Sequence, residues 1–172
     1  LVTNGTRLGS WALELQAAGL SSLTLSLDAA SAETFLSVRG GDIDPVLRGL
    51  DAARTVGLQV RLNSVISRRN LHEVPGLIEV ARHYGTTLKL LDLVNLAAPA
   101  GDPEWFADFV PFPEVRAALQ ALGATYEGLE STPGGVGAPL LSFRMPDGLQ
   151  VVMKDSLYGL FFAPSCRACA KY

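Results

Sequence analysis

The chain has 172 residues, enough for one domain with a sizeable core, and its 48% hydrophobic and 18% charged content excludes a disordered polymer. A net charge of −3 gives none of the basic stripe of a phosphate-backbone binder, so no nucleic-acid partner is expected. No apolar run approaches the ~18–20 residues of a bilayer span, no signal-peptide pattern opens the chain, and two cysteines, Cys166 and Cys169, make no disulfide framework; the expected setting is cytoplasmic, away from membranes.

Leu1-Val2-Thr3 is an apolar, β-favouring run that ends at the turn residues Asn4-Gly5. Leu8, Trp11, Leu15 and Ala18 then recur at helical spacing, and Gly19 stops the helix. Residues 21–28, SSLTLSLD, alternate with the period of a strand. A short helix follows from Ser31 as N-cap. Another covers 44–56, with Asp44 at the cap, Pro45 at the first helical position and Gly57 as the stop. A strand over 58–65, a helix over 70–84 and a leucine-rich strand over 86–94 complete the series. Strands alternating with helices through short loops predict βαβ units and a parallel sheet.

Beyond Leu96 the pattern changes. Residues 97–112 read as a long loop with prolines and aromatics, 114–122 as a helix and 131–139 as a flexible loop. LLSFRM and LQVVM, joined by Pro146-Asp147-Gly148, predict a hairpin. The expected organisation is an α/β body over 1–95 and a small α+β extension over 96–172.

Alternation also sorts the side chains. Leu23, Leu25 and Leu27 share one face and Thr24, Ser26 and Asp28 the other; Leu58, Val60 and Leu62 lie opposite Gln59, Arg61 and Asn63. A sheet covered on both faces would have nearly continuous apolar strands. One apolar face, with a second that turns polar toward the strand ends, fits a parallel barrel with a site at its C-terminal mouth. Arg61 on that second face needs an anion: a carboxylate such as Asp28 or Asp92, or a phosphate or carboxylate ligand. A Cys-x-x-Cys alone is half a zinc site, a redox dithiol or two small buried residues.

TNG at 3–5, AGL at 18–20, SLD at 26–28, NSV at 63–65 and the Asn70 and Glu73 of RRNLHE resemble, in order and spacing, the middle of a radical S-adenosylmethionine enzyme. The set is most similar to the GTP 3′,8-cyclase family of molybdenum-cofactor synthesis. The resemblance runs from Leu1 to about Val94, weakens over 95–160 and returns at Cys166 and Cys169. It implies a partial (β/α)6, TIM-like barrel entered at its third strand, with the Cys-x3-Cys-x2-Cys of the cofactor-cleaving [4Fe-4S] cluster upstream. On that expectation the 172 residues alone do not cleave S-adenosylmethionine.

The resemblance further implies that Ser26 contacts S-adenosylmethionine, with Asn4, Asn63 and Val94 as cofactor-side candidates. Val94 stands in place of a methionine, and Asp92 in place of a glutamate. Arg61 takes the place of a substrate-binding lysine, keeping its charge but changing its geometry. Val2 replaces a threonine that touches GTP. Cys166 and Cys169 match two ligands of an auxiliary iron–sulfur cluster, and Lys171 replaces an arginine that follows them. The changes at substrate positions favour a relative with another small-molecule or peptide substrate, and a reductant protein is an expected partner. The rival reading is a non-catalytic partial-barrel binding module whose cysteine pair holds zinc or nothing.

Overall fold

The computed structural model describes residues 1–93, 103–130 and 139–154. Its order is β1 (Val2–Thr3), α1 (Leu8–Ala17), β2 (Ser22–Ser26), α2 (Ala32–Arg39), α3 (Asp44–Thr55), β3 (Gln59–Ile66), a 3-10 turn (Leu71–Glu73), α4 (Val74–Tyr84), β4 (Leu88–Asp92), α5 (Pro103–Asp108), α6 (Phe112–Ala121), β5 (Thr125–Glu130), β6 (Leu140–Arg144) and β7 (Gln150–Lys154). One sheet runs β1-β2-β3-β4-β7-β6-β5. The first four strands are parallel and in sequential order, as helical crossovers require. β7 joins β4 in parallel, and β6 and β5 follow antiparallel, so one sheet continues into the extension. The fold is mixed α/β.

The core forms where strand alternation meets helical periodicity. Leu23, Leu25, Leu62, Ile66, Leu88 and Leu90 are buried in one cluster with Leu8, Val46, Leu50, Leu77 and Ala81 from the helices. Thr24, Ser26, Asn63 and Lys89, on the alternate positions, are only half-buried. Two glycines set how closely α3 approaches: a Cβ on Gly49 would stand 2.7 Å from the Gly5 carbonyl oxygen, and one on Gly5 would stand 2.6 Å from Leu25. Gly5 also holds φ +80°, which disfavours any side chain.

Several local expectations are corrected. Ile43, not Asp44, is the N-cap of α3, and the Asp42 carboxylate accepts the Asp44 N–H at 3.0 Å. Asp42 thereby caps the helix from outside, leaving Asp44 in its first turn. The helix expected over 70–84 begins as a 3-10 turn because Asn70 and Glu73 bond to other strand ends. Trp11 is 48% exposed, with Arg7 over its ring at 5.7 Å; Leu8 and Ala12 are the buried residues of α1. Within 97–112 the chain forms α5, whose Trp105 indole donates to the Leu93 carbonyl at 3.2 Å. β5 is a strand where none was expected; its mostly exposed residues carry little hydrophobic signal. The hairpin forms as expected, with Gly148 at φ +90°.

The loops after β2 and β3 are fastened by two buried polar side chains. Asn70, 1% exposed, donates to the Asp28 carbonyl at 2.7 Å and the Val65 carbonyl at 2.8 Å, and accepts the Ser67 N–H at 2.7 Å. Glu73 accepts the Ala30 and Ser31 N–H groups at 2.9 and 3.0 Å and the Ser31 hydroxyl. Burial pushes the Glu73 carboxyl up, but the Ser31 and Thr34 side chains and the two N–H groups overcome it and hold the pKa at about 2. A carboxylate depressed from 4.5 contributes stability above that value and loses it as pH falls toward 2. Glu73→Gln is therefore expected to cost about 2 kcal/mol at pH 7, with the gap to wild type closing over the acid range. Urea unfolding of both proteins across pH checks this, and a pH-independent gap would contradict it.

Candidate functional site

The open face of the sheet carries a row of side chains fixed by strand register. Ser26 of β2 pairs with Asn63 of β3, Asn63 with Lys89 of β4, Lys89 with Val152 of β7, and Val152 with Ser142 of β6. One step toward the strand starts, Thr24 pairs with Arg61. These positions share a face because side chains alternate, and registered neighbours stand about 4.8 Å apart. Over them lies a cavity of about 270 Å³ lined by Thr24, Arg61, Asn63, Thr87, Lys89, Glu130, Leu140, Gln150 and Val152.

The electrostatics of this cavity are cationic on the β3–β4 side. Burial, and then the like charges of Lys154 and Arg61, hold the Lys89 ammonium below its ordinary value. Neither carboxylate considered for Arg61 reaches it. Asp28 accepts the Val65 N–H at 2.8 Å and pairs with Arg39 at 3.2 Å, while Asp92 is buried on the helix-facing register of β4. No carboxylate among the described residues pairs with Arg61. Asp28 itself is pushed up by burial, against the opposing pull of the Val65 N–H and then of Arg39. Two close cations, with no carboxylate paired to Arg61 among the described residues, make this side of the cavity positively charged.

The residues expected from the sequence divide into three groups. Ser26, Asn63 and Arg61 meet on the open face, and the side chains of Ser26 and Asn63 have no hydrogen-bond partner among the described residues. Asn4 lies just past β1, and its side-chain Oδ1 accepts the Thr6 N–H at 3.3 Å and hydroxyl at 3.0 Å, so that oxygen closes a local turn. Val94, Cys166, Cys169 and Lys171 lie outside the described residues. Among the described residues no group of three or more His, Cys, Asp or Glu could hold a metal ion, and no helix is long and apolar enough to cross a membrane. Lys89 was missed from the sequence because the leucines of LKLLD read as core; the β3–β4 register places it beside Asn63, on the face that carries Arg61.

Sequence comparison bears out the resemblance to the radical S-adenosylmethionine enzymes, and the relatives it finds are GTP 3′,8-cyclases. The chain is 36% identical over 137 residues to the GTP 3′,8-cyclase of Rhodopseudomonas palustris, covering 78% of this chain and 39% of that protein. It is 33% identical over 150 residues to that of Marinobacter nauticus, covering 86% and 44%, and 31% identical over 136 residues to that of Caulobacter vibrioides, covering 78% and 38%. The chain is thus a homologue of these cyclases over most of its own length, and it spans about two fifths of theirs. No family model matches. A solved structure described as native anSMEcpe with bound AdoMet and Cp18Cys peptide aligns with a TM-score of 0.49 at 20% identity, covering 61% of this chain and 31% of that one.

Replacing Lys89 separates the roles of this face. A base held below its ordinary pKa destabilises the fold while protonated and is relieved as pH rises through its folded value. Lys89→Met is expected to raise stability at pH 7 only slightly, by about 0.5 kcal/mol or less because solvent screens a half-exposed charge, and to weaken inorganic pyrophosphate binding roughly tenfold. Urea midpoints and calorimetric titration check the pair; lower stability with unchanged binding would contradict the assignment.

Proposed function

We propose that the chain is the substrate-binding part of a radical S-adenosylmethionine enzyme related to the GTP 3′,8-cyclases, built as a portion of a partial (β/α)6 barrel whose open face looks into the lumen. The observation that carries this reading is the registered polar row Ser26–Asn63–Lys89, with Arg61 beside it, on strands whose other face is packed on helices. Homology to proteins named GTP 3′,8-cyclase supports it.

In this proposal Arg61 and Lys89 hold the anionic group of the substrate. Arg61 offers a planar fork for two oxygens and Lys89 a point charge. Thr24 and Thr87 offer hydroxyls that orient the bound group, and buried Val152 and Leu140 exclude water, which strengthens each polar contact. Ser26 and Asn63 would hold S-adenosylmethionine: a hydroxyl and a carboxamide without partners among the described residues match a ligand with carboxylate, ammonium and ribose hydroxyl groups. When bound and reduced through an iron–sulfur cluster, that cofactor supplies a 5′-deoxyadenosyl radical. The described residues contain no ligand set for a cluster, and Cys166 and Cys169 are proposed as ligands of an auxiliary one.

The substrate is a small anionic molecule, GTP-like or a different metabolite or peptide. Arg61 and Val2, at positions where the cyclase pattern has lysine and threonine, favour the different substrate. The proposal carries with it a division near residue 95, a cytoplasmic setting and a reductant protein as partner.

Calorimetric titration with S-adenosylhomocysteine tests the cofactor side without needing turnover. Binding is expected, weakened roughly five- to tenfold by Ser26→Ala or by Asn63→Leu, as for the loss of one buried hydrogen bond. No binding, or equal binding by both variants, would overturn the assignment.

A further inference from the structure

The cavity has a second pole, opposite in sign to the first. Glu130, at the end of β5, lines the same space as Arg61 and Lys89. It reaches back across β6 toward β7. The Ser142 hydroxyl donates to its Oε1 at 2.8 Å, and the Gln150 amide donates to that same oxygen. Ser142 is 2% exposed, and its hydroxyl also lies 3.3 Å from the Gln150 amide, so the carboxylate is held by a bracket of one buried and one half-buried side chain. Both bonds fall on Oε1, leaving Oε2 without a hydrogen-bond partner among the described residues. Arg144 feels the Glu130 charge, but its guanidinium forks onto the Glu127 carboxylate at 3.0 and 2.9 Å.

Glu130 and Lys89 do not neutralise each other. The charges acting on Lys89 are those of Lys154 and Arg61, both of its own sign. The shared row explains the separation: Lys89, Val152 and Ser142 occupy three successive strands, so Lys89 and the residue that brackets Glu130 stand roughly 10 Å apart at the backbone. A carboxylate with one oxygen fixed and one available, facing two cations across a cavity, suits a ligand charged at both ends.

We propose that Glu130 is a specificity-determining residue that reads a cationic hydrogen-bond donor, such as a primary ammonium, on a substrate whose anionic group sits on Arg61 and Lys89. The substrate class is therefore amphoteric. This rests on the reading of Arg61 and Lys89 as the anion site.

The test compares 4-aminobutyl phosphate with butyl phosphate by calorimetric titration of the full chain. Wild type is expected to bind the amino compound about tenfold more tightly, and in Glu130→Gln the ratio of the two affinities is expected to fall to about one. Equal binding of the two phosphates by wild type overturns the role of Glu130 whether or not the variant folds, as does a preference that survives in Glu130→Gln. If wild type binds neither phosphate nor inorganic pyrophosphate, the anion site itself fails and this inference falls with it.

Discussion

Two buried side chains, Asn70 and Glu73, hold the end of β2 against the end of β3, and the open face depends on that join. Parallel strands leave their C-terminal ends as separate loops, each with backbone groups that must find partners. Asn70 answers two such carbonyls, at Asp28 and Val65, and Glu73 answers two N–H groups, at Ala30 and Ser31. The same few residues then satisfy the Asp28 carboxylate, through Val65 and Arg39. With Asp28 committed to this join it is not a counter-ion for Arg61. The rim is thus closed electrostatically on itself, and further down the strands Arg61 and Lys89 pair with no carboxylate among the described residues.

That division has a thermodynamic cost on the open face. A half-buried lysine between two like charges loses hydration without gaining a partner, and a sheet that tolerates it forgoes stability. Sites that hold an unfavourable arrangement of charge are where function and stability oppose one another. The helix-facing side compensates with dense packing: Leu25, Leu62, Leu88 and Leu90 are fully buried against α1, α3 and α4 residues. One sheet therefore combines a densely packed face with one that carries half-buried polar and charged side chains.

Much of this was legible in the sequence because strand alternation is a strict geometric rule. SLTLSLD and LQVRLN place Arg61, Asn63 and Ser26 on one face without any tertiary knowledge. The resemblance to the cyclases was legible in short ordered motifs, two of whose residues, Asn70 and Glu73, prove to be the join itself. What stayed hidden depends on contacts between distant segments. That Asp28 turns to Arg39 rather than Arg61 depends on where α2 ends. That β7 inserts beside β4, with β6 and β5 beyond it, so that Gln150, Val152 and Glu130 line the same cavity as the cations, is a non-local pairing that no period announces. Lys89 was hidden for a different reason: the leucines around it read as core and masked its phase.

Arg61 and Lys89 are proposed to form an anion site on the open face. The most direct measurement is the titration of the Lys89 ammonium, followed by NMR on selectively labelled lysine, with and without inorganic pyrophosphate. An anion site there requires a pKa below the ordinary lysine value in the free protein and an upward shift when pyrophosphate binds, since an anion favours the charged form. A Lys89 that titrates identically in both conditions would contradict it.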